Sequence, residues 1–169
     1  MYLANTTRPD ITFSVNVLAR YSYAPTKRHW NGIKYILRYL KGTTDMGLFY
    51  GNNCSPDPVG YADAGYLSDP HKARSQTCYV FTCGGTVISW QSTNQSIVST
   101  SSNHVEIIAI HEASREYVWL RSIIHLIRDK CSLKYDKLPT ILYEDNAACI
   151  AQLKEGFIKG DRTKHISPK

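Results

Sequence analysis

The residue pattern predicts an α/β fold: a mixed sheet flanked by helices, preceded by a small helical segment. Three observations carry this. The stretch up to about residue 45 has helical periodicity and two helix-start signals. A block of alternating, β-rich segments with a Gly-Gly turn follows. After it comes a long apolar stripe at helical spacing, then a second short strand and a last helix.

In the first segment, Pro9 suits a first helical position and Asp10 the positive end of the helix dipole. The pattern runs through Phe13, Val17 and Ala19 to Tyr21, and Ala24-Pro25 breaks it. Thr26 caps a second helix in which Trp30, Ile33, Leu37 and Leu40 form an expected buried stripe, and Gly42 ends it. Lys27, Lys34, Arg38 and Lys41 fall on another face. The segment holds Arg8, Arg20, Lys27, Arg28, Lys34, Arg38 and Lys41 against Asp10 and Asp45, so it carries most of the net charge of +6. Interleaved tyrosines and Trp30 make this either a phosphate-contacting face or an ordinary solvated helix face.

Met46 to Tyr50 reads as a short strand, and Gly51 to Pro58, rich in Asn and Pro, as a loop and domain boundary. Residues 1–45 and 57–169 are the two expected units. Val59-Gly60-Tyr61-Ala62-Asp63-Ala64-Gly65-Tyr66 reads as a strand with Val59, Tyr61 and Asp63 pointing one way. Tyr66 to Arg74 is expected as a polar loop. Ser75 to Cys83 alternates, with Thr77, Tyr79, Phe81 and Cys83 on one face. Gly84-Gly85 signals a two-residue hairpin, and Thr86 to Trp90 is the return strand. A polar run from Gln91 to Asn103 follows.

The long helix begins near Asn103, with Ala109, Ala113, Tyr117, Leu120, Ile124 and Ile127 as its apolar stripe. Glu106 shares that face, where an unpaired carboxylate is costly. Glu112 and Glu116 read as solvent-facing. After a polar connector from Lys130 to Lys137, Thr140 to Asp145 forms a strand and Asn146 to Lys154 a helix. The tail is polar and basic.

Two strands thus end in acids, Asp63 and Asp145. Laid side by side and parallel, they bring those acids to one sheet edge, where Glu106 reaches them from the helix. Three carboxylates together repel unless cations neutralise them, and hard oxygen donors suit Mg²⁺. Two such ions roughly 3.5–4 Å apart support in-line phosphodiester cleavage. Taken singly, Asp63 and Asp145 are equally well strand-end turn residues, and Glu106 a helix-dipole partner.

The five cysteines, Cys54, Cys78, Cys83, Cys131 and Cys149, are odd in number and lack a C-x-x-C pair. They are expected as small buried residues, reduced, in an intracellular compartment, either a cytoplasmic particle or the nucleus. No secretory signal or membrane-length apolar run occurs. His29, His71, His111, His125 and His165 show no metal spacing, and His104 is expected as an exposed residue at a helix start.

The motif order resembles the ribonuclease H domain of copia-type retrotransposon polyproteins over nearly the whole chain. Tyr61-Ala62-Asp63-Ala64 matches the first-strand motif, and Lys72 to Phe81 resembles the second strand. Gly84 to Trp90 is similar to the hairpin and third strand. Ser101-Ser102-Asn103-His104-Val105-Glu106 falls on a Ser-Ser-Thr-Glu-Ala-Glu run. Tyr143-Glu144-Asp145-Asn146-Ala147-Ala148 falls on an Asp-Asn element, and Arg162-Thr163-Lys164-His165-Ile166 on a Thr-Lys-His-Ile segment. Residues 1–45 resemble the thumb or connection end of the preceding reverse transcriptase.

The resemblance implies a ribonuclease H-like fold and cleavage of the RNA strand of RNA–DNA hybrids. Mg²⁺ or Mn²⁺ would be held by Asp63, Glu106 and Asp145. The remainder of the polyprotein, including the reverse transcriptase, is implied as partner, and no membrane is expected; nucleic-acid contacts are expected, from the residue pattern, at Lys27, Lys34, Arg38 and Lys41 on the basic face and at Ser101 and Asn146, with a solvated face and a plain loop as the alternatives. The chain departs from the family at His104, Gly65 and Ser167. It stops before the family's last strand and helix, with their fourth carboxylate, so both ends look cut and weak metal binding and poor cleavage are expected. The alternative is a truncated or decayed copy that binds nucleic acid through its basic helices without catalysis. A further reading is a domesticated interaction module.

Overall fold

The computed structural model describes residues 1–51, 57–69, 72–132, 139 and 141–155. Cys54, His71, Thr140, His165, Ser167 and the 162–166 segment lie outside the described residues. The four strands are β1 (Pro58–Asp69), β2 (Arg74–Cys83), β3 (Thr86–Asn94) and β4 (Ile141–Tyr143), in the order β3-β2-β1-β4. β1–β2 and β2–β3 are antiparallel, and β1–β4 is parallel. This is the expected mixed, ribonuclease H-like sheet.

The hairpin follows from Gly84 and Gly85, which both take positive φ, 61° and 81°. That pairing gives a tight turn whose twist matches the strands. β1 runs on to Asp69, through the stretch expected as a loop, and β3 to Asn94, through part of the expected polar run. The extension of β1 is irregular: pairing shifts register between Gly65 and Asp69, with Leu67 at a φ of 50°. Met46 to Tyr50 is not a strand. It is held instead by side chains, with the Thr86 hydroxyl donating to the Phe49 carbonyl and the Tyr50 hydroxyl to the Val87 carbonyl.

One face of the sheet is covered by α4 (Ser102–Lys130). Ala62, Tyr79 and Phe81 pack there against Ala113, Tyr117 and Leu120. Full burial of a side chain the size of Phe81 contributes about 1.5–3 kcal/mol. Gly60 lets this layer close, since a Cβ there would lie 2.4 Å from the Phe81 ring. The Tyr117 hydroxyl donates to the Pro58 carbonyl at 3.0 Å, pinning the helix to the start of β1. The expected stripe holds as far as Leu120, but Ile127 is exposed. Arg128 is buried instead and bonds Asp57, the residue before β1, at 3.2 Å. Glu112 and Glu116 are half-buried rather than solvent-facing, and Glu116 accepts from the Ser89 hydroxyl. After β4 comes α5 (Ala147–Glu155), packed on α4.

The N-terminal segment has more helices than expected: α1 (Tyr2–Thr6), a 3-10 turn at Pro9–Ile11, α2 (Thr12–Ala19) and α3 (Lys27–Gly42). It docks on the β2–β3 side of the sheet. The Trp90 indole donates to the Ala4 carbonyl at 2.7 Å, and the Gln76 amide to Asn16 at 3.1 Å. Thr26 caps α3 as expected, in a capping box with His29.

The expected buried stripe of α3 is corrected. Trp30 and Leu37 are 56% and 57% exposed, and no α3 residue is buried. The half-buried line is His29, Gly32, Ile36 and Leu40. α3 packs against α2, and the close approach is through Gly32, where a Cβ would lie 2.9 Å from Leu18. The smallest side chain, not the largest, sets which face is covered. Of the cysteines described, only Cys149 is buried; Cys78 and Cys83 are intermediate and Cys131 is exposed, and none of the four is in a disulfide. Among the described residues, no helix is long and apolar enough to cross a membrane.

Candidate metal centre

The parallel pairing of β1 with β4 sets Val59 beside Ile141, Gly60 beside Leu142 and Tyr61 beside Tyr143. Two residues further along each chain lie Asp63 and Asp145. α4 starts at Ser102 and brings Glu106 to the same point within its second turn. Asp63, Glu106 and Asp145 each offer one carboxylate oxygen, and these atoms lie within 4.8 Å of one another. Asp63 and Asp145 are exposed, whereas Glu106 is only 8% exposed.

The first turn of α4 is held firmly. The Ser101 hydroxyl accepts from the His104 N–H at 3.3 Å, and the Gln95 amide donates to the Val105 carbonyl at 3.1 Å. His104 is therefore buried at 4% exposure, contrary to expectation, because the whole turn from His104 to Ile107 tucks inward. Asn146 caps α5, accepting from the Cys149 N–H at 3.0 Å. Ser101 and Asn146 thus have their side-chain oxygens committed to helix starts, Asn146 directly after Asp145 in the chain. Lys27, Lys34, Arg38 and Lys41 are exposed on α3, a separate element from those that bear the acids; the Arg38 guanidinium sits over the Tyr35 ring.

Crowding of the carboxylates shows in Glu106. Burial, then Glu144, Asp63 and Asp145, push its pKa up to about 7, against a smaller opposing effect of the Ala64 N–H. Glu144 is raised too, first by burial, with the Asn146 N–H opposing. The sequence reading missed Glu144. Its one signal was a second acid beside Asp145, which alternation would turn to the opposite side of the strand end. It accepts the Asn146 N–H at 3.0 Å through Oε1.

The donor set fits a hard divalent cation. All three groups are carboxylates, two present open oxygens, and Oε2 of buried Glu106 has no hydrogen-bond partner. A buried acceptor left so is costly unless something occupies it.

No family model and no solved structure matches the chain. Curated relatives do. A Nicotiana tabacum protein, "Retrovirus-related Pol polyprotein from transposon TNT 1-94", is 38% identical over 98% of this chain. The Arabidopsis thaliana "Retrovirus-related Pol polyprotein from transposon RE2" is 34% identical over 98%. The chain spans 12% and 11% of those two proteins. "Secreted RxLR effector protein 161" of Plasmopara viticola is 39% identical over 71% of this chain and 84% of its own length. With transposon polyproteins matching almost from end to end, the chain belongs to the copia-type retrotransposon Pol polyproteins, as one region of them.

Proposed function

We propose that this region is the polyprotein's ribonuclease H, hydrolysing the RNA strand of RNA–DNA hybrids during reverse transcription. The observation that carries this is the convergence of Asp63, Glu106 and Asp145 within 4.8 Å. These residues would hold Mg²⁺ or Mn²⁺. When such a site is loaded, the chemistry supplied is activation of a water and stabilisation of the leaving oxygen in phosphodiester hydrolysis.

The chain's own residues do the rest. Although both strands were expected to end in these acids, Asp63 lies midway along β1 and Asp145 two residues past the end of β4, and both present exposed carboxylates. Glu106 reaches them from below, fixed by the capped first turn of α4. The exposed cations of α3 supply a phosphate-attracting face on the same molecule.

The test is incubation of the chain with a labelled hybrid and Mg²⁺ or Mn²⁺. RNA cuts that require the cation and disappear with Asp63→Asn or Asp145→Asn are expected. No cutting by the parent chain, with Mn²⁺ binding unaffected by either substitution, overturns the proposal.

One observation favours a second reading, nucleic-acid binding without catalysis. α3 has five cations, no acid and no buried residue. Salt-sensitive hybrid binding without cuts, unchanged by Asp145→Asn, would select it.

A further inference from the structure

Glu144 precedes Asp145 where the chain leaves β4 for α5. Its Oε1 accepts the Asn146 N–H at 3.0 Å, which fixes the carboxylate at the start of α5. Its Oε2 is buried and has no hydrogen-bond partner. Oε2 of Glu106 is in the same condition, on a residue only 8% exposed. β4 ends at Tyr143, so strand alternation no longer sets where Glu144 points.

Three electrostatic effects place Glu144 with the other acids. On Glu106, burial acts most strongly, and of the neighbouring charges Glu144 comes first, ahead of Asp63 and Asp145. The buried Cys149 thiol is pushed up to about 12 by burial and then by Glu144 and Glu106, so it lies beside both. Glu144 itself is raised by burial and then, against the Asn146 N–H, by Asp145 through both its charge and a side-chain contact. Such effects fall with distance, so Glu144 approaches the cluster from the Glu106 and Asp145 side, beyond the set that lies within 4.8 Å.

No cation answers this charge. Among the described residues, none of Asp63, Glu106, Glu144 and Asp145 forms an ion pair with a lysine, arginine or histidine. A buried carboxylate is ordinarily paired or fully hydrogen-bonded. Glu144 has a bond on one oxygen only. The bond to the Asn146 N–H does not need a charge, since the side-chain carbonyl of a glutamine accepts it equally.

We infer that Glu144 is a fourth carboxylate ligand of the metal centre, offering Oε2 to a divalent cation held with Asp63, Glu106 and Asp145. This role rests on the reading of those three as metal ligands. Hard cations take oxygen donors, and the charge count of the donors tunes affinity. The repulsion that four acids suffer without a cation is then the counterpart of tighter cation capture.

The experiment titrates Mn²⁺ into the whole chain without nucleic acid, above pH 7, where Glu106 is ionised. Bound ion is read by electron paramagnetic resonance, and the Tm of the metal-free chain is read beside it. Glu144→Gln keeps the size and the bond to Asn146 but drops the charge. Its Mn²⁺ affinity is expected to fall about tenfold or more. Its metal-free Tm should hold or rise, because one repelling charge is gone. Glu144→Asp keeps the charge with a shorter reach, and should bind Mn²⁺ more like the glutamine variant than like the parent. Parent-like affinity in Glu144→Gln overturns the inference. Parent-like affinity in Glu144→Asp also overturns it, since the charge would then act at a distance. A fall in metal-free Tm for Glu144→Gln does the same, making Glu144 a brace of α5 alone. The two proposals fail separately. A parent that binds Mn²⁺ through Glu144 but never cuts a hybrid removes the nuclease reading and keeps the ligand. A parent that cuts, with Glu144→Gln binding Mn²⁺ as the parent does, keeps the nuclease and removes the ligand.

Discussion

Arg20, at the end of α2, donates through its guanidinium to the side chain of Gln76, which is fully buried on β2. The same guanidinium lies 3.9 Å from Asp69, at the end of β1. Gln76 in turn donates to Ser92 on β3 at 2.8 Å. One cation from the N-terminal segment thus ties together three strands, including the irregular stretch of β1 beyond Asp63.

Arg20→Ala should therefore destabilise the chain by about 1–3 kcal/mol, because it leaves buried Gln76 and Asp69 short of a partner. Urea unfolding measures this, and Arg20→Lys should recover only part of the loss. A midpoint shift no larger than that of an exposed control such as Lys34→Ala would show that the bridge is not structural.

Glu106 gives the apo chain a distinctive pH dependence. Folded, it keeps its proton up to about pH 7; its ordinary value is 4.5. Between those values the native state binds more protons than the unfolded state, so stability falls as pH rises from about 4.5 to 7 and then levels. Glu106→Gln should flatten that slope, leaving only the contribution of Glu144, whose pKa is also raised. Added Mg²⁺ should oppose the loss near pH 7 by favouring the charged carboxylate, read as a rise in Tm. A stability that does not change with pH over this range would refute the buried-carboxylate account.

Replacing Lys34, Arg38 and Lys41 together by alanine should weaken hybrid binding and flatten its salt dependence. Each lost phosphate contact reduces the slope of log K against log salt by about 0.7–0.9. Tm should barely move, since all three residues are exposed. An unchanged slope would place the nucleic-acid face elsewhere.

Gly60→Ala is the sharpest packing test. The added methyl would meet Phe81 at 2.4 Å and Leu142 at 2.7 Å, so both β1 neighbours must shift. A cost of about 1–3 kcal/mol is expected from overpacking. Gly42→Ala, with nothing within 4 Å, is the control and should hold or slightly raise the unfolding midpoint.

The sequence by itself determined the strand block, the Gly84-Gly85 hairpin, the capped start of α3, and the three acids that meet. Each is a local signal: alternation, helical spacing, a turn residue or a cap acts within a few neighbours, and a motif names its acid directly. Tertiary structure alone decided what depends on partners distant in the chain. It turned α3 to pack through Gly32 rather than Trp30, since closest approach to Leu18 needs the smallest residue. It buried His104 and Arg128, placed Glu144 beside Glu106, and set Tyr61 against Tyr143. Periodicity marks the faces of an element, but only packing against another element selects which face loses its water.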